Sequence, residues 1–317
     1  MSSENRHIIT RLLSSSKSYA CGGFLQRLDN LQRQKLFTEL YFDRLKRKHE
    51  HILYSLHRYN SDWSQTIYYM LLRSLDVGFN RQNYEMLADI LPLKVIRREN
   101  ISLKAIEGLL LGASGLLDLF QEDRHIIEAK EAYHYTAHKF ELGIMSPKQW
   151  NLERISPGKH PILRLSQVAK LISLDRLNIN NICQCKSIQD IEHMFRIPAS
   201  NYWSDALMTN NGFFSPPQYI GYDKSHLLGI NFIVPLQLAY ADYTCNDTLR
   251  EQALNLLESI KAENNHYIRS WASYGVKVKN ALETQALIQL ATEFCAKQRC
   301  RECPVGREII KKAESER

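Results

Sequence analysis

Scarcity of backbone punctuation constrains this chain more than any other feature. Its 317 residues include only 13 glycines and 9 prolines, while apolar side chains recur at intervals of three and four. Glycine and proline are the residues that open turns and break helices, and a three-to-four spacing is the period of one helix face. One such stripe runs through Phe37, Leu40, Tyr41, Leu45, Ile52 and Leu56. The pattern predicts an all-α fold, an irregular multi-helix globular array with short connections. The best β-like run, Asn231 to Pro235, is continuous with helical flanks on both sides.

Helix starts are legible in places. Asp62 stands three residues before Gln65, a pattern in which the carboxylate accepts from free backbone amides and the glutamine reaches back. Further helices are expected over 83–91, 102–118, 123–141, 161–174, 187–194, 224–241, 247–261, 264–274 and 281–297. Prolines 147, 157 and 161 interrupt the middle, and Ser215-Pro216-Pro217 with Gly212 and Gly221 marks the longest irregular stretch. These interruptions suggest a polar segment over 1–20, a helical subdomain over 21–145 and a second over 146–317, with one continuous domain as the alternative. No internal repeat of fixed period is present.

With 44% hydrophobic and 24% charged residues, the composition excludes disordered, collagenous and low-complexity classes. No run approaches the roughly 20 apolar residues a membrane helix needs, and Met1 to Thr10 is polar, so the expected location is cytoplasmic. The formal charge of +7 permits a polyanionic partner such as nucleic acid without demanding one. Basic residues are densest in Arg44-Leu45-Lys46-Arg47-Lys48, with His49 and His51 beside them, and in the stretch 297–317. On a helix, positions 44, 47, 48 and 51 share a face, either solvated or set against phosphates.

Seven cysteines are unevenly placed, and three of them fall in Cys295-Ala-Lys-Gln-Arg-Cys300-Arg-Glu-Cys303-Pro. Three thiols within nine residues can converge on one soft ion once the chain turns. C-x4-C-x2-C matches the first part of a plant-type iron–sulfur pattern, and C-x2-C fits half of a zinc site. A fourth ligand must come from elsewhere. Cys21, in the turn Cys21-Gly22-Gly23, is the candidate, with Cys183, Cys185 or a histidine as competitors. Buried reduced thiols, a structural zinc and an iron–sulfur cluster all remain open at this level. Lys297, Arg299, Arg301 and Arg307 nearby favour the thiolate.

A second constellation runs from Trp150 to Gln167. Two prolines four apart stiffen a loop that feeds a helix start, which would place Lys159, His160 and Arg164 near anion-attracting backbone amides, with Arg154 able to close the site bidentately and Gln167 one turn on. The alternative is that the arginines tie the loop to carboxylates and carbonyls. A third, Glu263-Asn264-Asn265 to Trp271, is explained by helix capping and by packing of Ile268 and Trp271. Enzyme signatures are missing: Gly112-Ala-Ser114-Gly115 lacks the residue a nucleophile elbow needs between serine and glycine, and no phosphate-binding glycine loop or H-E-x-x-H occurs. An enzyme of nuclease or hydrolase type would need a carboxylate cluster that these residues do not display.

Taken in order, several segments resemble the C-terminal part of the bacterial family catalogued as domain of unknown function 2851. They are Asn60-Ser-Asp62-Trp63 with Tyr68 and Leu72, Leu91-Pro92-Leu93-Lys94, Leu109 to Leu117, the Trp150 to Gln167 loop, Pro235 with Tyr240, Glu263 to Trp271, Gln285-Ala-Leu287, and Cys295, Arg299, Cys300, Cys303 and Gly306. The resemblance runs from about Cys21 to Ile310. Where this chain has Ser156-Pro157-Gly158-Lys159-His160-Pro161, the family typically reads Arg-Pro-Ala-Asn-Phe-Pro, so one positive charge is displaced and an aromatic becomes His160. The family also usually carries a preceding β-rich half, which implies a β-rich partner domain or chain. The resulting expectation is a non-catalytic helical module that holds a thiolate-ligated metal and presents a basic surface to nucleic acid or a partner. A metal-free protein-interaction domain is the rival, and a fragment of a nuclease-like enzyme is the third class.

Overall fold

Helices form where the apolar spacing places them. The computed structural model describes residues 19, 21–98, 102–153, 155–211 and 219–315. Among these residues the fold is all-α, and β pairing is confined to the isolated bridges Pro198–Tyr219 and Lys261–Asn280. None of the described helices is long and apolar enough to cross a membrane. Helices Arg81–Ile90, Arg124–Phe140, Pro161–Ser173, Asp247–Ser259 and His266–Ser273 match the expected runs closely. The run 102–118 is divided into helix Leu103–Ala113 and a 3-10 turn Leu116–Leu119. The division falls at Gly115, whose φ of +72° and a Cβ position only 2.1 Å from the Met145 carbonyl oxygen exclude any side chain.

Two local expectations are corrected. Asp62 does cap helix Trp63–Leu75, accepting from the Gln65 amide at 3.1 Å. The Gln65 side chain does not reach back. It lies buried, donating through Nε2 to the Ala88 carbonyl at 3.0 Å and accepting through Oε1 from the Leu93 amide at 2.7 Å. Those two groups belong to the end of one helix and the start of the next, where backbone atoms lack helical partners. The run expected as one helix over 224–241 is helical, but passes through a π-turn, Gly229–Ile233, between helices Tyr222–Leu228 and Val234–Tyr243. Pro235 supplies the reason: it has no N–H to offer the Asn231 carbonyl four residues back, so the helical ladder widens there.

Shorter helices at Gly22–Arg27, Leu93–Arg98 and Ile179–Gln184 escape a periodicity reading because each spans fewer than two turns. Asn201–Asn211 and Pro304–Ser315 are longer and were not anticipated.

The chain divides into two compact units. One joins residues 1–51 to 254–317, and the other runs unbroken from 52 to 253, with residue 145 inside it. In the first, Trp271 is fully buried, stacks on Tyr19 at 4.0 Å between ring centroids, and donates its indole N–H to the Leu287 carbonyl. Gly22 permits the close approach, since a Cβ there would stand 2.7 Å from that of Tyr274. In the second, Trp203, Tyr68, Tyr84, Tyr133, Phe195 and Phe232 are the largest buried side chains. Truncating an aromatic of this kind costs about 3–5 kcal/mol. Gly112 lies directly beneath the Tyr133 ring, 2.4 Å from its Cγ if a Cβ were present.

Candidate functional site

The four thiols of the sequence reading come from three short elements of the first unit. Cys21 precedes helix Gly22–Arg27, and its carbonyl accepts from the Phe24 and Leu25 amides. Cys295 ends the π-turn Leu290–Cys295. The chain then reverses through Gln298, held at φ +52°, with the Arg299 amide returning to the Phe294 carbonyl at 2.9 Å. Cys303 stands immediately before helix Pro304–Ser315, and a Cβ on Gly306 would lie 1.9 Å from the Cys300 carbonyl oxygen. Only glycine therefore lets the last helix seat against the turn that carries Cys300.

Cys21 approaches this turn: the thiols of Cys295, Cys300 and Cys303 all lie within electrostatic reach of its own. The Cys303 sulfur also faces the Val305 and Gly306 amides at the helix start. The neighbouring Cys295 thiol and then burial hold the Cys21 thiol well above the usual thiol range. Burial pushes Cys300 up, and pushes Cys303 up to about 12. The expected preference for thiolate is thus not met in the metal-free protein. Three of the four nearby cations are spoken for: Lys297 pairs with Glu293, Arg299 with Glu302, and Arg307 with Glu39. Among the described residues no three His, Cys, Asp or Glu side chains stand in a ready ligating arrangement. Of the competitors, Cys185 is buried in the second unit, where its sulfur donates to the Asn181 carbonyl and touches Met194.

The basic run at 44–48 turns partly inward within the first unit. Arg44 Nε and Lys48 Nζ both donate to Gln285 Oε1, at 2.7 and 2.9 Å, and Gln285 Nε2 donates to Glu263 at 2.6 Å. Arg47 pairs with Glu293 at 3.0 Å. Charge on this face meets carboxylates and amides before it meets solvent. Asn265 caps helix His266–Ser273 through the Ile268 amide, so the Glu263 segment combines capping with an ion network.

The second constellation lies wholly in the second unit, apart from Arg154, which falls outside the described residues. Its loop is tied down by amides: Asn80 exchanges two hydrogen bonds with the Asn151 backbone, and Asn83 donates to the Gln149 carbonyl. Trp150 is buried edge-on to Tyr84 and donates to the Ser114 carbonyl. Lys159 is exposed at the end of a 3-10 turn, and His160 caps helix Pro161–Ser173, accepting at Nδ1 from the Ile162 amide. Burial pushes His160 down to about 4, so its ring is neutral near pH 7.

Arg164 is 6% exposed. Its guanidinium donates to Gln167 Oε1 at 2.9 Å, and no carboxylate among the described residues lies within ion-pair distance. Burial lowers its pKa, with the Tyr84 hydroxyl opposing. Sequence reading missed its neighbour Lys224, half-buried on helix Tyr222–Leu228 with Nζ donating to the Ser74 carbonyl at 2.8 Å. Burial pushes Lys224 down to about 7, Arg164 and Lys159 add to the effect, and Asp76 opposes it. No local signal marks this lysine, because its burial is purely tertiary. On the adjoining helix Leu103–Ala113, Glu107 is buried against Ser166 Oγ at 2.5 Å, and burial raises its pKa. A separate cavity of about 420 Å³ is lined by Arg176, Asn181, Cys185, Asp190 and His193, none of them in either cluster.

The family model described as protein of unknown function, DUF2851, matches residues 1–266. The chain belongs to this family. The DUF2851 match takes in Cys21, the Trp150 to Gln167 loop and Lys224, while Cys295, Cys300 and Cys303 lie beyond the matched residues. No curated protein and no solved structure matches the chain.

Proposed function

We propose that this DUF2851 chain is a structural helical module whose first unit is fastened by a metal bound to Cys21, Cys295, Cys300 and Cys303. The observation that carries the reading is the position of Cys21: a residue from the opposite end of the chain lies within electrostatic reach of Cys295, Cys300 and Cys303. Four sulfurs from two distant segments, Cys303 buried and the other three half-buried, are the ligand count of a structural zinc or of an iron–sulfur cluster. Two further features support it. The Val305 and Gly306 amides offer the Cys303 sulfur hydrogen bonds of the kind that stabilise a thiolate, and Gly306 fixes the spacing between Cys300 and the last helix.

The raised pKa values of Cys300 and Cys303 follow chiefly from burial, and that of Cys21 from its Cys295 neighbour and then burial. Several thiolates in one dry pocket repel one another, and a cation reverses that balance by displacing the protons. A zinc ion with Zn–S near 2.3 Å would draw the sulfurs to about 4 Å from each other.

The test is metal analysis and a visible spectrum of the full chain purified without oxygen. One zinc per chain, or a brown chromophore, is expected, and should be lost in Cys300→Ala and Cys21→Ala while Cys245→Ala keeps it. Metal-free protein with all four thiols titratable by a thiol reagent in the folded state overturns the reading.

A further inference from the structure

We propose that Arg164, Lys224 and Lys159 form a receptor for a small oxoanion of the phosphate class, held inside the second unit. A guanidinium carries five N–H donors, and burying it without compensation is costly. Arg164 is 6% exposed, yet among the described residues it meets one acceptor, the neutral amide of Gln167, and no carboxylate. The Lys224 ammonium is turned inward on a backbone carbonyl rather than outward to water. Natural proteins pair buried charges or use them, and this pair is not neutralised from within.

The charge count names the ligand. Lys224 senses two cations, Arg164 and Lys159, and one carboxylate, Asp76. Once an anion holds Lys224 in its protonated form, three positive charges face one negative, a surplus of two, which a phosphate dianion would cancel. Asp76 accepts from the Gly78 and Asn80 amides at 2.9 and 3.0 Å and supplies a single negative charge against the cations. Planar bidentate donation suits Arg164 to a tetrahedral oxoanion, and a lysine adds a point charge from a second direction. The amide-pinned loop keeps the site rigid, and exposed Lys159 marks the side from which an ion would enter. With Arg164 6% exposed, its guanidinium is a target for a compact ion or the terminal phosphate of a small monoester, not for a polymer backbone.

The experiment is thermal unfolding of the full chain at constant ionic strength, titrated with inorganic phosphate and, in a second arm, with phenyl phosphate. A ligand that binds only the folded state raises Tm with its concentration. A rise of several degrees at millimolar phosphate, absent with matched chloride, is expected. Phosphate alone acting assigns the free ion, and phenyl phosphate acting as well assigns a monoester. Lys224→Met should weaken the response at least tenfold, and in phosphate-free buffer should melt at or above the wild type, because it removes one of the mutually repelling charges. A Tm rise no greater than that from chloride, or a Lys224→Met variant that keeps the full response, overturns the proposal. Isothermal titration of phosphate into Arg164→Gln gives a second readout, with loss of the binding heat expected.

Discussion

Single residues carry much of what makes this architecture specific. Gly306 is the sharpest case, since any Cβ would collide with the Cys300 carbonyl oxygen at 1.9 Å. Gly306→Ala should therefore destabilise the first unit by about 2 kcal/mol or more by urea unfolding and lower metal retention with it. Gly23→Ala, where a Cβ meets nothing within 4 Å, is the matched control, with an effect near zero or slightly stabilising. His160 sets an acid limit. Its folded pKa of about 4 lies below the unfolded value near 6.5, so the unfolded chain takes up a proton that the folded chain refuses. Stability from this group is whole above pH 6.5, declines as pH falls toward 4, and levels off below, a loss of about 3 kcal/mol. His160→Asn keeps a capping side chain without the titration, and chemical unfolding between pH 7 and 4 should show a shallower decline than the wild type. The histidine, Arg164 and Gln167 were legible because they sit in one proline-bounded segment. Lys224 was not: nothing local separates a lysine that will be buried from one that will be solvated.

Among elements, the junctions decide more than the interiors. Helix bodies were legible from apolar spacing, as Arg124–Phe140 and Pro161–Ser173 show, because periodicity survives any detail of packing. Junction chemistry was half legible. Asp62 behaves as its local sequence requires, while Gln65 is claimed by the gap between two later helices, a tertiary demand that overrides the local motif. Gln65→Ala would leave the buried Leu93 amide and Ala88 carbonyl without that partner. A loss of about 2 kcal/mol is expected in equilibrium unfolding, with faster amide hydrogen exchange at Leu93. The π-turn at Gly229–Ile233 has the same moral: the spacing over 224–241 reads as one uninterrupted helix, and only the structure shows that the chain widens ahead of Pro235 without stopping.

At the level of the whole molecule, the cysteine trio was visible as spacing and Cys21 as a candidate, but their meeting depended on the first unit being assembled from both ends of the sequence. Basic residues near the trio illustrate the limit of composition: Lys297, Arg299 and Arg307 count toward the charge of +7, yet each already answers a carboxylate. If the thiols hold a metal, a chelator should lower the unfolding midpoint of the native chain and leave Cys21→Ser unaffected, a comparison calorimetry can make directly. The divided first unit also imposes an order of events on the ribosome. Residues 52–253 form a continuous stretch that can fold as soon as it emerges, whereas residues 21–51 must wait for 254–317 to be made. At about 5–20 residues per second that wait is roughly 13–53 s, during which the Tyr19 ring has no Trp271 to stack on and the Cys21 thiol stands open to oxidants and to passing chaperones.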